Sequence, residues 1–379
     1  MSNRFIAWVL FLGLIVPVSA GTIPSVPAPP SIGARAYLLI DYDSGQSLAE
    51  SNADIAMEPA SLTKIMTVYV IAKELKEGHI KLEDQIMVSE KAWRTPGSRM
   101  FVEVGRQVSV QDLLMGVIIQ SGNDACVALA EHVSGSEQVF AELMNQYAAK
   151  LGLTGSHFMN STGLPDPDHY MTARDLARLS SALIRDFPEI YEWFKVREFT
   201  YNKITQPNRN WLLQRDASVD GIKTGHTEAG GYCLVASAKR DNMRLIAVTL
   251  GMTGENIRAT ATQALLNYGF RFYETRRLYS ANQPLIKARV WKGRADTVDL
   301  GLVEDLYVTA PRDQSKAIKT TMESGSKIIA PLATRTPIGT LKVTLGDKEL
   351  TSRPLVLLQS VEQGGLVGRF IDHVQLYFQ

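Results

Sequence analysis

The stretch EPASLTKIMTVYV, Glu58 to Val70, constrains the fold more than any other part of the chain. Ile65, Met66, Val68, Tyr69, Ala72 and Leu75 wrap most of a helix circumference, so the spacing predicts a buried helix and not an amphipathic surface one. Pro59 can occupy its first turn, where a missing N–H costs nothing, and Gly78 is placed to end it. The head of this apolar run nevertheless carries a hydroxyl, Ser61, and an amine, Lys64, which share one helix face a turn apart.

Around this helix the chain alternates in a readable way. ARAYLLIDYDSGQSLAE reads as strand, turn, strand, and GGYCLVASAKRDNMRLIAVTLG repeats the pattern late in the chain. Helices are predicted between them at VQDLLMGVIIQ, NDACVALAEHV and TARDLARLSSALIRD, and after them at RATATQALLNYGFRFY. The economical packing is an α+β domain in which the early and late hairpins form one antiparallel sheet against the helices. After Glu274 short β-rich runs broken by Gly, Pro and Asp suggest a small all-β second domain.

The ends carry addresses. Residues 1–20 have one early positive charge, an apolar run from Phe5 to Val18 and small residues before the expected cleavage after Ala20, which is the pattern of a secretory signal peptide. The mature protein is expected in a bacterial periplasm. The expected order is signal peptide 1–20, proline-rich leader 21–32, catalytic domain 33–274, β-rich domain 275–362 and an amphipathic tail 363–379. In the tail Leu366, Phe370, Ile371, Val374, Tyr377 and Phe378 recur at helical spacing, too few and too polar to span a bilayer but suited to lie in its interface.

Forty basic residues balance thirty-nine acidic ones, so no charge excess draws the chain to nucleic acid. Six histidines without clustering, and no C-x-x-C or H-E-x-x-H, give a metal site no support. Cys126 and Cys233 can pair in an oxidising compartment, but each sits inside an apolar run, where a buried free thiol is the commoner outcome.

A serine hydroxyl needs a neighbouring base to act as a nucleophile. Lys64 can be that base if burial and a second nearby cation lower its pKa, and Lys223 is the candidate cation. Ser121 can relay a proton to a leaving amine, with Asn123 orienting Lys64 or a substrate amide. Context separates these residues from decoys of the same wording. Ser61 heads a buried helix and Ser121-Gly-Asn123 forms a polar break between apolar runs, whereas Ser324-Gly-Ser-Lys327 and Ser280-Ala-Asn282 lie in the β-rich part.

Ser61-x-x-Lys64, Ser121-Gly-Asn123 and Lys223-Thr224-Gly225, in this order, resemble the active-site serine penicillin-recognising enzymes. EPASLTKIMT, SGNDACVALAE, DGIKTGHT and YGFRFYET look like the low-molecular-mass penicillin-binding proteins, the D-alanyl-D-alanine carboxypeptidases of the peptidoglycan pathway. The resemblance covers nearly the whole chain. It implies that Ser61 attacks the penultimate D-alanine carbonyl of a stem peptide, that β-lactams acylate the same serine, and that no cofactor is required. It implies an oxyanion hole from the backbone N–H groups of Ser61 and His226. Lys223, Thr224 and Gly225, with Arg258 and Arg209, would bind the substrate carboxylate. The tail would attach the protein peripherally to the inner membrane.

A class A-like β-lactamase shares the first three elements and adds a glutamate in an E-x-x-L-N setting. None of Glu131, Glu137, Glu142, Glu189, Glu192 and Glu198 has Leu and Asn at those offsets. Endopeptidase or transpeptidase activity would use the same groups with another acceptor, and sequence leaves that choice open.

Overall fold

The computed structural model describes residues 26–325 and 327–378. The expected signal peptide and the start of the leader lie outside them. From Val26 the leader runs along the core, with Val26 and Ile32 packed on it and Tyr268 Oη donating to the Pro27 carbonyl at 2.9 Å.

Five strands form one antiparallel sheet: β1 (Ala36–Asp41), β2 (Ser47–Ser51), β3 (Val219–Thr227), β4 (Gly231–Arg240) and β5 (Met243–Met252). Their spatial order is β2-β1-β5-β4-β3, so the early hairpin joins the late one through β1 and β5, Ala36 opposite Leu250. Strand side chains alternate between faces. Leu38 and Ile40 therefore pack with helices α1 (Lys64–Glu77), α2 (Asn123–Ser134) and α3 (Ala173–Asp186), while Leu39 packs with α4 (Glu255–Phe272) on the opposite face.

Helix α1 is the centre of the first layer, and every residue from Lys64 to Ala72 is buried. It begins in a tight turn, Ala60–Thr63, which carries Ser61. It ends at Gly78 in the left-handed conformation, φ 77°, with its N–H on the Glu74 and Leu75 carbonyls. VQDLLMGVIIQ departs from the single helix its periodicity predicts. The α-helix stops at Met115 and widens into a π turn over Gly116–Gln120, which leaves Ser121 at φ 61° and ψ 33°. A Cβ at Gly116 would collide with the Met100 thioether, so the first residue of the turn has room only for glycine.

Helix α4 runs directly into β6 (Tyr273–Tyr279), the first strand of the second domain. That domain holds β7 (Ile286–Trp291) in a six-stranded sheet and pairs β6 with β8 (Leu306–Pro311). Both decoy motifs lie in it, Ser324 closing the strand Ile318–Ser324 and Ser280-Ala-Asn282 following β6. Fully buried Asp41 crosses the junction. Its Oδ2 accepts from Thr275 Oγ1 at 2.6 Å, and its Oδ1 from Ser44 Oγ at 2.8 Å, which lies 2.6 Å from Thr309 Oγ1.

The tail forms α5 (Leu366–Tyr377). Its polar side faces the second domain: the Asp372 carboxylate accepts the Lys292 N–H, and Arg289 Nη2 donates to Gln375 Oε1 at 2.7 Å. The apolar stripe faces outward, with Leu366 82%, Phe370 70% and Tyr377 86% exposed. Cys126 and Cys233 are both buried free thiols.

Candidate active site

Three elements meet at Ser61. The turn that carries it is pressed from two sides. Gly163, at φ 81°, lies so close to the Ala60 carbonyl that a Cβ would overlap it. Gly225 of β3 lies where a Cβ would come within 2.9 Å of the Pro59 oxygen and 3.2 Å of the Ser61 nitrogen. The glycine of the third motif thus lets an edge strand run beside the turn that carries Ser61.

Lys64 Nζ is 1% exposed as a residue and donates to Ser61 Oγ at 2.9 Å, Asn123 Oδ1 at 2.7 Å and the Thr162 carbonyl at 2.7 Å. Burial lowers its pKa to about 8, and the Arg209 charge acts in the same direction. Lys223 Nζ, also buried, donates to Ser121 Oγ at 2.9 Å and to the Thr224 carbonyl at 3.2 Å. Burial holds its pKa well below the ordinary lysine value, with the Lys64 and Arg209 charges adding to the effect. Arg209 is thus a cation felt by both lysines, a part the sequence assigned to Lys223 alone.

The other expected residues fall on the same cleft in different ways. Thr224 is buried on β3, which pairs only with β4 and leaves its outer backbone edge unpaired in the sheet. The His226 ring is exposed and lies 4.0 Å, centre to centre, from the Tyr232 ring. Arg258 lies in the first turn of α4, which begins at Glu255, three residues before the expected start. It is buried, with Nη2 on Glu255 at 3.1 Å, Nη1 3.5 Å from the Gly225 carbonyl, and a buried Nε without a partner. Arg209 is exposed between two buried asparagines that lock its backbone. Asn210 Nδ2 donates to the Gly221 carbonyl at 3.0 Å, two residues from Lys223, and Asn208 Nδ2 to Val196 at 3.0 Å.

Sequence reasoning missed the backbone acceptors. The Thr162 carbonyl faces Lys64 because its loop is tied down: Glu137 accepts the Ser161 N–H and hydroxyl, and the Ser161 carbonyl accepts Thr67 Oγ1 at 2.6 Å. Glu137 is thus part of the wall. His169 Nδ1 accepts the Met159 N–H, so Nε2 carries the proton and donates to Thr63 Oγ1 at 2.8 Å; burial lowers its pKa to about 4 and keeps the ring neutral. A carbonyl has no residue-type signature, and only Gly163 marked this loop as crowded.

Comparison with known proteins gives the family. A family model described as D-alanyl-D-alanine carboxypeptidase matches residues 23–254, and one described as penicillin-binding protein 5, C-terminal domain, matches residues 273–363. The chain is 47% identical over 376 residues to the D-alanyl-D-alanine carboxypeptidase DacC of Escherichia coli K12, covering 97% of this chain and 94% of that protein. The crystal structure of penicillin binding protein 5 from Haemophilus influenzae superposes with a TM-score of 0.86 at 42% identity, over 89% of this chain and 100% of that one. Penicillin-binding protein D2 from Listeria monocytogenes, solved in an ampicillin-bound form, superposes with a TM-score of 0.60 at 29% identity, over 64% of this chain and 100% of that one.

Proposed function

This chain belongs to the D-alanyl-D-alanine carboxypeptidase family, and on that premise we propose that Ser61 is its nucleophile, Lys64 the base and Ser121 the proton relay. The protein is a serine-type D-alanyl-D-alanine carboxypeptidase that acts on D-Ala-D-Ala peptides and binds β-lactams. Ser61 Oγ loses its proton to neutral Lys64 and bonds to the penultimate D-alanine carbonyl carbon. The carbonyl oxygen takes up the electron pair and rests on the backbone N–H groups of Ser61 and His226. The pair then returns, the C–N bond breaks, and the proton reaches the leaving amine through Lys64 and Ser121. Water, deprotonated by Lys64, bonds to the acyl carbon, the ester C–O bond breaks, and Lys64 returns the proton to Ser61 Oγ. Lys223, Thr224 and Gly225 bind the terminal carboxylate with Arg209, and Arg258 supports them from behind β3.

The observation that carries this reading is the shared amine: Lys64 Nζ bonds the nucleophile while burial keeps its pKa near 8. Incubating the protein with a pentapeptide ending in D-Ala-D-Ala tests it. Mass analysis should show a tetrapeptide and free D-alanine, and Ser61→Ala should abolish both. A product joined to an added amine would instead identify a transpeptidase.

The tail supports a location as well as a chemistry. Its apolar stripe, turned away from the domain that holds it, fits a peripheral seat in the periplasmic face of the inner membrane. Among the described residues no helix is long and apolar enough to cross a membrane.

A further inference from the structure

We propose that Asp124 is a positioning residue of this site: its carboxylate braces the strap 95–102, and the strap holds the Asn123 amide with its oxygen toward Lys64. Asp124 touches no reacting atom in the scheme above. It is 1% exposed, and a carboxylate that deep is tolerated only when strong hydrogen bonds replace water. Its Oδ1 accepts the N–H groups of Met100 and Ala125, each at 2.9 Å, and its Oδ2 those of Phe101 at 2.9 Å and Val102 at 3.2 Å. Three consecutive strap amides therefore converge on one side chain, with Phe101 in the left-handed region at φ 70°.

The strap in turn grips Asn123 twice. The Ser98 carbonyl accepts its N–H at 2.7 Å and the Pro96 carbonyl its Nδ2 at 2.6 Å. With Nδ2 committed to Pro96, only Oδ1 is left for the Lys64 ammonium; a flipped amide would set a carbonyl against a carbonyl and an NH2 against the ammonium. Gly97 allows the approach, since at φ 91° a Cβ there would lie 2.7 Å from Asn123 Nδ2. The strap also reaches the wall that carries Arg209, where Gln206 Nε2 donates to the Arg99 carbonyl at 3.0 Å.

The inference rests on Lys64 as the base, and its test separates the two. The second-order rate of penicillin acylation is followed by intact mass from about pH 6 to about pH 10, where it reports groups of the free enzyme, alongside the melting temperature. Asp124→Asn keeps the shape but turns an NH2 toward strap N–H groups; Gly97→Ala disturbs the grip with no change of charge. In both, the plateau should fall about tenfold or more and the acid limb should move to lower pH. In Asp124→Asn the lost carboxylate charge, which itself raises the Lys64 pKa, moves the limb the same way, so the limb of Gly97→Ala, where no charge changes and only the Asn123 acceptor is disturbed, is the one that decides. A folded variant with the wild-type plateau and limb overturns the inference, as does a lower plateau with an unmoved limb, which marks general loosening. If Asp124→Asn does not fold, Gly97→Ala decides alone. A wild type without any acid limb defeats Lys64 as the base, and the inference falls with it.

Discussion

Lys64 has three ammonium hydrogens and three acceptors, and one of those acceptors, Ser61 Oγ at 2.9 Å, is the atom it would deprotonate as the proposed base. The amine can act only when it is neutral. Because burial sets its pKa at about 8, acylation should rise as pH passes through that value and level off above it. Lys64→Arg, protonated at every working pH, should lose acylation almost wholly with the fold intact. A flat rate across this range, or an active Lys64→Arg, would remove lysine from the role.

Lys223 holds a different station, 2.9 Å from Ser121 Oγ and buried. Lys223→Arg keeps a cation but must fit a broader group into a closed site. Its acylation rate should fall about tenfold, far less than for Lys64→Arg. Equal losses in the two variants would contradict separate roles.

The two arginines should separate binding from folding. Arg209→Ala removes an exposed charge and should raise KM about tenfold or more for peptides with a free terminal carboxylate, leaving the melting temperature unchanged. Arg258→Ala, which empties a buried site behind Gly225, should lower the melting temperature as well. Steady-state kinetics with acid and amide-terminated peptides reads the first effect; an equal KM change for both substrates would take Arg209 off the carboxylate.

Removing residues 364–379 should release the protein from inner-membrane vesicles while D-alanine release from a soluble peptide stays near normal. Sedimentation with vesicles reads the first and product analysis the second. A truncated protein that still sediments, or that unfolds, contradicts the membrane seat.

Much of this was legible from residue pattern. The buried helix with Gly78 at its end and the pairing of two distant hairpins follow from periodicity and turn residues, which local sequence records, whereas the grouping of three short motifs is what the family resemblance implied. The π turn before Ser121 was not legible, because the apolar periodicity runs through it unbroken, and the close approach of Met100 to Gly116, sixteen positions apart, leaves no mark in local sequence. The carbonyls of Pro96, Ser98 and Thr162 were invisible for another reason: every residue has one. The start of α4 was placed three residues late, at Arg258 instead of Glu255, because the wording before it, GMTGENI, gave no helix start, and Gly254 caps α4 without a side-chain hydrogen bond.

Hydrogen bonds at both ends of the second domain turn it into a spacer of set length. The Asp372 carboxylate pins α5 to the Lys292 backbone at one end, and Asp41 with Ser44 pins β6 and β8 to the catalytic sheet at the other. Were the apolar stripe seated in a bilayer, as proposed, this joint would carry Ser61 at one height above it, and stem peptides would be trimmed in a single thin shell of the wall. Replacing Thr275 and Thr309 by valine, which cuts the Asp41 end, should leave hydrolysis of a soluble pentapeptide unchanged while membrane-seated enzyme loses its depth preference on intact sacculi. Reach, in such a protein, is a property of the joint and not of the cleft.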